Sequence, residues 1–250
     1  WLTTHIRDGE DVHIKSLTND QTILVLAGPK ARDVLSACAR GDWSQKAFPW
    51  LSVREAFVGF APSTVLAVSF SGELAYEIHV PNASLYGAYL VLREAGKAHG
   101  MQLFGARAVD AMRIEKGFLH WKADLLTEFD PFETSLDRFV RLEKGDFIGR
   151  DALVQRQAKG PSKRLVTLEI ATTEAPAHSG ASVMMDDKVV GTITSGAWGH
   201  RVDKNLAYAF VDLVVAEPKV MLEVDMCGML VSATVIQASP YDLSNELMRR

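Results

Sequence analysis

A carboxylate within an apolar strand pattern is the first candidate for chemistry in this sequence. The stretch SFSGELAYEIHVP, residues 69–81, alternates as a β-strand does. One face of the predicted strand carries only apolar and aromatic side chains: Leu74, Tyr76, Ile78 and Val80. Glu77 falls on the opposite face, where we expect apolar and aromatic neighbours. A strand that is predicted to pack in the core therefore carries an acidic side chain.

Two interpretations of Glu77 follow from the residues alone. In the structural one, its carboxylate faces a helix dipole or pairs with Arg107 or Arg113. In the functional one, it faces a cleft lined by Phe70 and other aromatic residues. A carboxylate can accept two parallel N–H bonds, and pterin and guanine present such a pair of donors. A buried carboxylate also selects strongly, because an imperfect ligand leaves it unpaired.

Other charged residues have simpler interpretations. In GARAVDAMRIEKG, residues 105–117, Asp110 lies three positions from Arg107 and from Arg113, which predicts a ladder of ion pairs on a helix. The stretch WKADLLTEFDPFE predicts a largely solvated acidic loop, and its acidic residues are Asp124, Glu128, Asp130 and Glu133. His120 is expected to face solvent. Nucleotide-binding, serine-hydrolase and zinc-protease motifs are absent, and no histidines pair at metal-ligand spacing, so no metal site is predicted.

Composition narrows the class of protein. The chain has 250 residues, 48% of them hydrophobic and 23% charged, and its net charge is −4, which argues against nucleic-acid binding. Cys38 and Cys227 form no CxxC pair, so neither a disulfide framework nor a zinc site is expected. No apolar run approaches the roughly 18 residues of a membrane span, and no signal-peptide pattern opens the chain. We expect a cytoplasmic location, or the mitochondrial matrix in a eukaryote, and no membrane partner.

Periodicity predicts how the chain is organised. Three strands are expected, at 21–29, at 63–70 and in the stretch 69–81 that follows. Helices are expected at 30–40, 82–100 and 105–117, and the β-α-β-β-α order indicates an α+β arrangement. After PSKR the pattern changes to period two, typical of a small barrel or sandwich. Three dipeptides are predicted turns in this part: Asp186-Asp187, Ser195-Gly196 and Cys227-Gly228. We therefore predict domains at 1–160 and 161–250.

Five stretches carry a family resemblance, in this order: LAGPKARDVL, SFSGELAYEIHVP, GARAVDAMRIEKGFLHWKADL, DPFETSLDRFV and DFIGRDAL. The chain resembles, over essentially its whole length, the glycine-cleavage T-protein (aminomethyltransferase) superfamily. Within that superfamily it most resembles the folate-binding C-terminal region of dimethylglycine and sarcosine dehydrogenases. The resemblance implies an α+β fold: a T-protein-like folate-binding domain, whose N-terminal part lies outside this chain, followed by a small C-terminal all-β barrel.

The resemblance also implies an activity. Members bind tetrahydrofolate and transfer a one-carbon unit to it from an amine carrier, giving 5,10-methylenetetrahydrofolate. In the dehydrogenases a separate N-terminal flavin domain, with FAD, first oxidises a small N-methylated amine. Glu77 matches the glutamate that holds the pterin ring, and Phe70 stands where relatives place a tyrosine. Tyr241 matches a C-terminal tyrosine near the folate.

Departures from the family pattern keep alternatives open. Val109 stands where T-proteins carry a folate-site arginine, and Arg107 lies roughly 200° around the helix from it. The family's catalytic aspartate belongs to an upstream segment, so no catalytic residue is assigned here. A stand-alone aminomethyltransferase served by a lipoyl carrier protein and a non-catalytic folate-binding module therefore remain alternatives. EKGFLHW lacks the cysteine that marks the folate-binding proteins of iron–sulfur assembly.

Overall fold

The computed structural model describes residues 1–250, which fall into two units. The first unit consists of Trp1–Ser69, Glu73–Leu103 and Glu246–Arg250, and the second consists of Phe70–Gly72 and Phe104–Asn245. The division of the chain into domains at residues 160 and 161 stays a prediction.

The first unit is a four-stranded antiparallel sheet with two helices. Its strands are β1 Gln21–Ala27, β2 Val53–Val58, β3 Ala61–Leu66 and β4 Ala75–Pro81. They are ordered β1-β4-β3-β2 across the sheet. The helices are α1 Ala31–Cys38 and α2 Leu85–Lys97. The sequence pattern predicts all of these elements except β2, whose alternation of Val, Glu and Phe with Arg and Ala is weak.

Strand alternation determines which side of this sheet is core. Tyr76, Ile78 and Val80 are fully buried, as the period-two pattern predicts. They belong to a core that α1 enters with Ala31, Val34 and Leu35, at the i, i+3, i+4 spacing of one helix face. The odd-numbered positions of β4 consequently lie on the other face of the sheet.

That second face, here called the open face, is partly apolar and accessible. Ile23 and Val25 of β1 are 47% and 50% exposed, and Val53 and Phe57 of β2 are exposed as well. Glu77 lies on the open face, and its backbone pairs with Val25 on one side and Leu66 on the other. Its nearest cross-strand neighbours are therefore apolar, as expected, but they are not deeply buried.

The second unit combines two helices with a closed six-stranded antiparallel barrel. The helices are α3 Ala106–Lys116 and α4 Arg150–Lys159. The barrel strands are β5 Lys163–Ile170, β6 Ser182–Met185, β7 Lys188–Gly199, β8 Lys204–Asp212, β9 Met221–Met226 and β10 Met229–Ile236. Their order around the barrel is β10-β5-β8-β7-β6-β9. The all-β texture after residue 163 thus forms the barrel that the sequence predicts.

Strand β8 is buried on both faces and joins two cores. Ala207, Ala209 and Val211 belong to the cluster that fills the barrel, where small side chains suit a narrow interior. Tyr208 and Phe210 point the other way, into a second cluster that includes Ile114 of α3. Because both faces are buried, the sequence of β8 is a nearly continuous apolar run and does not alternate between apolar and polar residues.

Two of the three predicted turns are correct. Asp186 and Asp187 have φ values of 49° and 61°, and Cys227 and Gly228 have 57° and 93°. Two successive positive φ values are typical of the tight turns that join antiparallel strands. The third prediction is wrong: Ser195 and Gly196 lie within β7, which runs unbroken from Lys188 to Gly199 with a register shift between Ile193 and Ser195. That shift is a β-bulge, which disturbs the ladder without reversing the chain.

The longest helix, α2, has 13 residues, and no helix combines the length and apolarity that a membrane span requires.

Candidate functional site

Glu77 occupies a half-buried position on the open face of the first unit. Strand β4 places it directly between Val25 of β1 and Leu66 of β3. Its side chain is 36% exposed. The side chains of these neighbours carry no charge and no hydrogen-bond donor. Most of the hydrogen-bonding capacity of the Glu77 carboxylate is therefore not used by them.

The hydrogen-bonding partner of Glu77 within the protein is His79. The two side chains lie on the same face because they are two residues apart in a strand. Glu77 Oε2 lies 3.3 Å from His79 Nε2. The partner is a histidine rather than the arginine that the structural interpretation called for. Glu77 Oε1 has no hydrogen-bond partner in residues 1–250, which leaves it available to a ligand.

Phe70 belongs to the second unit, where it is part of an aromatic cluster. Its ring lies parallel to that of Phe118, with 6.3 Å between the ring centroids and 3° between the planes. The His120 ring is also 6.3 Å away, tilted by 54°. Phe70 is 37% exposed. It therefore presents a partly accessible aromatic surface, the property that stacking on a flat ligand requires.

Tyr241, also in the second unit, is fixed by the end of α3. Its backbone N–H donates to the carbonyl of Glu115 at 3.1 Å, and the ammonium of Lys116 lies 3.4 Å from its carbonyl. The guanidinium of Arg201 lies over its ring, 3.7 Å from the centroid. One face of the ring is thus covered by a cation. The assignment of Glu77, Phe70 and Tyr241 to one binding site stays a prediction.

A buried ion pair, which the sequence pattern did not predict, organises the second unit. Arg113 and Asp124 have side-chain exposures of 3% and 0%, and Arg113 Nη1 donates to Asp124 Oδ2 at 2.5 Å. Thr194 and Ser195 each donate a hydroxyl to Asp124 Oδ1 at 2.6 Å. The His120 backbone N–H donates to Oδ2 at 2.8 Å. Four donors thus satisfy this carboxylate, as a buried charge requires.

The bulge in β7 makes this network feasible. In a regular strand, adjacent residues point to opposite faces, so Thr194 and Ser195 could not both reach one carboxylate. The register shift between Ile193 and Ser195 turns both hydroxyls toward Asp124. The network consequently fastens the loop around His120 to the barrel.

A second buried pair lies at the end of α3. Glu115 is 1% exposed and accepts hydrogen bonds from the backbone N–H of Arg201, at 2.6 Å, and from its Nε. Arg201 Nη2 also donates to the carbonyl of Met112 at 2.8 Å. Gly199 is needed beside this pair, because a Cβ there would lie 2.9 Å from Cγ of Glu115. The same guanidinium covers Tyr241, so the pair also orients that ring.

The structure corrects the prediction for the acidic stretch. Asp124 and Glu133 are buried rather than solvated, whereas Glu128 is exposed and Asp130 is partly buried. Glu133 Oε1 accepts hydrogen bonds from the backbone N–H and the hydroxyl of Ser162. Within the predicted ladder, Asp110 does contact Arg113, at 3.3 Å. His120 is exposed, as predicted. The only sequence signal for the buried acids was their position among Trp, Leu and Phe residues.

Burial, not activation, governs the two groups with the largest pKa changes. Burial raises the pKa of the Cys38 thiol to about 11. It also raises the pKa of the Tyr208 hydroxyl, which donates to the carbonyl of Ile114 at 3.0 Å. Neither group is set up as a nucleophile or a base. Across residues 1–250, no three His, Cys, Asp or Glu side chains converge as metal ligands.

Two family models match nearly the whole chain. The GCVT N-terminal domain matches residues 1–144, and the glycine cleavage T-protein C-terminal barrel domain matches residues 163–242. A crystal structure of glycine cleavage system aminomethyltransferase T from Bartonella henselae aligns with a TM-score of 0.76 at 23% identity, covering 88% of this chain and 59% of that one. This alignment confirms the fold class, an α+β chain with a C-terminal barrel.

Curated relatives fall into two groups. Dimethylglycine dehydrogenase of Homo sapiens is 35% identical over 239 residues, which are 95% of this chain and 28% of that protein. Sarcosine dehydrogenase of Mus musculus is 31% identical and covers 99% of this chain and 28% of that protein. An aminomethyltransferase of Symbiobacterium thermophilum is 30% identical, covering 96% of this chain and 65% of that protein. The chain thus spans little more than a quarter of the dehydrogenases.

Proposed function

Since this chain belongs to the glycine-cleavage T-protein family, we propose that it binds tetrahydrofolate and transfers a one-carbon unit to it, giving 5,10-methylenetetrahydrofolate. We further propose that it is the folate-binding domain of an enzyme like dimethylglycine or sarcosine dehydrogenase. Two observations support the second statement: the 35% identity to dimethylglycine dehydrogenase and the coverage of 95% of this chain.

The proposal rests on the surroundings of the Glu77 carboxylate. This carboxylate is half-buried between apolar neighbours, and Oε1 has no partner within the protein. A pterin ring presents a ring N–H and an exocyclic amine side by side, and a carboxylate accepts both in a fork. The apolar side chains of Val25 and Leu66 beside such a pair lower the local dielectric constant and so strengthen it. The carboxylate geometry therefore fits the edge of the pterin.

Aromatic side chains supply the remaining recognition in this proposal. The exposed part of Phe70 stacks on the folate ring system, and its neighbour Phe118 keeps the ring in place. Tyr241, held under the guanidinium of Arg201, contributes a second aromatic surface. When bound, tetrahydrofolate supplies the amine nitrogens that receive the one-carbon unit. The residues of this chain bind and orient it, and no residue is assigned the acid–base role.

The proposal extends to partners and location. A small N-methylated amine is the proposed donor of the one-carbon unit, and a flavin domain with FAD in the same polypeptide is the proposed source of the oxidised amine. Both follow from similarity to dehydrogenases that are several times longer than this chain. The relatives named as mitochondrial support the mitochondrial matrix as the location in a eukaryote, and the cytoplasm is proposed otherwise.

One specific observation favours a second candidate, a stand-alone aminomethyltransferase. The relative from Symbiobacterium thermophilum matches 96% of this chain, and this match spans 65% of its own length. The two candidates share the folate site and differ in the amine that delivers the carbon. A flavin spectrum of the full-length polypeptide separates them, because only the first requires FAD.

Calorimetric titration with tetrahydrofolate tests the shared part of the proposal. We expect the Glu77→Gln variant to bind about tenfold to hundredfold more weakly than the unmodified protein, because a charged acceptor is lost from a half-buried hydrogen-bonded pair. Glu55→Gln is the matched control, since Glu55 is an exposed carboxylate on the open face in β2, which β3 separates from the strand of Glu77. Equal Kd values for the unmodified protein and Glu77→Gln would remove Glu77 from the site.

A further inference from the structure

A cavity opens on the second unit between the barrel and the segment that follows His120. It encloses about 420 Å³, within the range of small-molecule sites. Strands β5, β7 and β8 contribute one wall, and residues 122–129 contribute the other. None of Glu77, Phe70 and Tyr241 lines it. Nothing in the proposed folate chemistry uses this cavity.

The charged side chains that line the cavity are positive. Lys122 and Lys163 line it, and no aspartate or glutamate does. The acidic residues that adjoin lining residues in the sequence include Asp124, whose carboxylate faces Arg113 and is already satisfied by four donors, and Glu128, which is exposed. Asp212 lies 3.9 Å from the Lys163 ammonium, and both side chains are about 40% exposed or more. Such an exposed pair is weak, so Lys163 is free to turn to a ligand.

The base of the cavity is apolar and aromatic. Phe129 and Phe210 line it and stack on each other, with 3.6 Å between ring centroids and 15° between planes. Leu126 and Ile193 lie beside them. Phe210 is only 3% exposed, so its position is set by the core of the second unit. This surface favours the apolar body of a ligand over water.

Hydrogen bonds within the protein hold two of the residues that line the cavity. Thr194, which lines it, donates its hydroxyl to Asp124 at 2.6 Å. The backbone N–H of Gly180, another lining residue, donates to the carbonyl of Ile193 at 2.8 Å. Lys122 has a φ of 66°, a left-handed conformation that is uncommon for a residue with a side chain. A rigid wall reduces the entropy lost on binding.

We propose that this cavity is a binding site for a small organic anion, a carboxylate carried on an aromatic ring. The ring packs against the surface of Phe129 and Phe210, and the carboxylate lies between the ammonium groups of Lys122 and Lys163. The hydroxyls of Ser179 and Thr192, which also line the cavity, are available as further donors. The proposal does not depend on folate binding.

Fluorine NMR titration of the full chain with 4-fluorobenzoate tests this site. For a probe of about ten non-hydrogen atoms we expect saturable line broadening with a Kd on the order of 1 mM. The neutral isostere 4-fluorobenzamide should bind about tenfold more weakly, because it offers the lysines no charge. Lys122→Gln and Lys163→Gln should each weaken benzoate binding about threefold to fivefold.

Two further variants make the outcome decisive. Lys188→Gln removes an exposed lysine of the same unit that does not line the cavity, so it should leave the Kd unchanged. Ser179→Trp fills the mouth from an exposed position and should abolish binding while the melting temperature stays the same. Non-saturable broadening, equal affinity for acid and amide, or equal effects of all three lysine variants would each overturn the proposal.

Discussion

Asp124 shows how much a single buried carboxylate organises in this chain. Its two oxygens accept from a guanidinium, two hydroxyls and a backbone N–H, and its side chain is completely buried. The donors come from α3, from the bulge in β7 and from the loop that carries His120. A buried ion pair adds little net stability, because the cost of desolvating its charges offsets their attraction. Removing one partner is strongly destabilising, since the other charge then stays buried without it.

Replacing Asp124 by asparagine should destabilise the second unit by about 3–5 kcal/mol, since the buried Arg113 then keeps only a half-exposed carboxylate, that of Asp110, as its anionic partner. Urea unfolding followed by circular dichroism measures the change. Asp110→Asn is the matched control: Asp110 also contacts Arg113, at 3.3 Å, but its side chain is 53% exposed. Its loss should cost less than about 1 kcal/mol. Similar losses for the two variants would contradict the assigned role of Asp124.

Glu77 differs from Asp124 in its burial and in its hydrogen-bond partners. It is only half-buried, and its partner is one histidine at 3.3 Å. A structural carboxylate would be surrounded by donors as Asp124 is. The contrast between the two carboxylates is the physical reason for proposing a recognition role for Glu77 and a structural role for Asp124.

Helix α3 illustrates how an element ends and thereby positions side chains. Gly117 follows it with a φ of 86°, and the next backbone N–H, of Phe118, donates to the carbonyl of Arg113 at 2.8 Å. This left-handed cap is the usual role of a glycine after a helix. It turns the chain so that Phe118 reaches Phe70 and the loop returns to Asp124.

A glycine exchange at this cap tests the argument. Gly117→Ala should destabilise the protein by about 1–2 kcal/mol, because a left-handed residue with a Cβ is strained. The new Cβ would also lie 3.2 Å from the Ser239 side chain. Gly87→Ala, at an exposed α2 position where a Cβ meets nothing within 4 Å, should be neutral or stabilising by up to about 1 kcal/mol. Thermal melts compare the two variants, and the same sign for both would refute the cap argument.

Strand β7 shows that residues typical of a turn can instead form a β-bulge. The Ser195-Gly196 pair looks like a turn because small residues interrupt an alternating pattern. The chain instead keeps its direction, and the bulge redirects two hydroxyls. A turn and a bulge use similar residues, so only the pairing of β7 with β8 distinguishes them.

At the scale of the whole molecule, the dehydrogenase relatives are several times longer than this chain. The chain corresponds to 28% of human dimethylglycine dehydrogenase. In the proposed enzyme, amine oxidation and one-carbon capture are separate events served by separate parts of the protein. Damage to the folate site should therefore leave oxidation intact.

The full-length polypeptide with Glu77→Gln should still oxidise its N-methylated amine at close to the normal rate. Because fewer bound folate molecules are present to receive the one-carbon unit, water hydrolyses the iminium, and formaldehyde with the demethylated amine is released. The expected result is a shift of product from 5,10-methylenetetrahydrofolate to formaldehyde, measured at a fixed folate concentration. Glu55→Gln should keep the original ratio. An unchanged ratio in Glu77→Gln would count against the folate assignment.

The sequence by itself determined the order of most elements, the barrel and the faces of β4, because hydrophobic periodicity is a local property. It also led to Glu77 and to the family. Tertiary structure alone decided that Asp124 and Glu133 are buried, that Ser195 lies in a bulge, and that Lys122 and Lys163 share a cavity. These features depend on residues far apart in the sequence, such as Asp124 and Ser195, which are 71 positions apart. Burial of a charge is set by partners that the chain brings together only on folding, which no local pattern encodes.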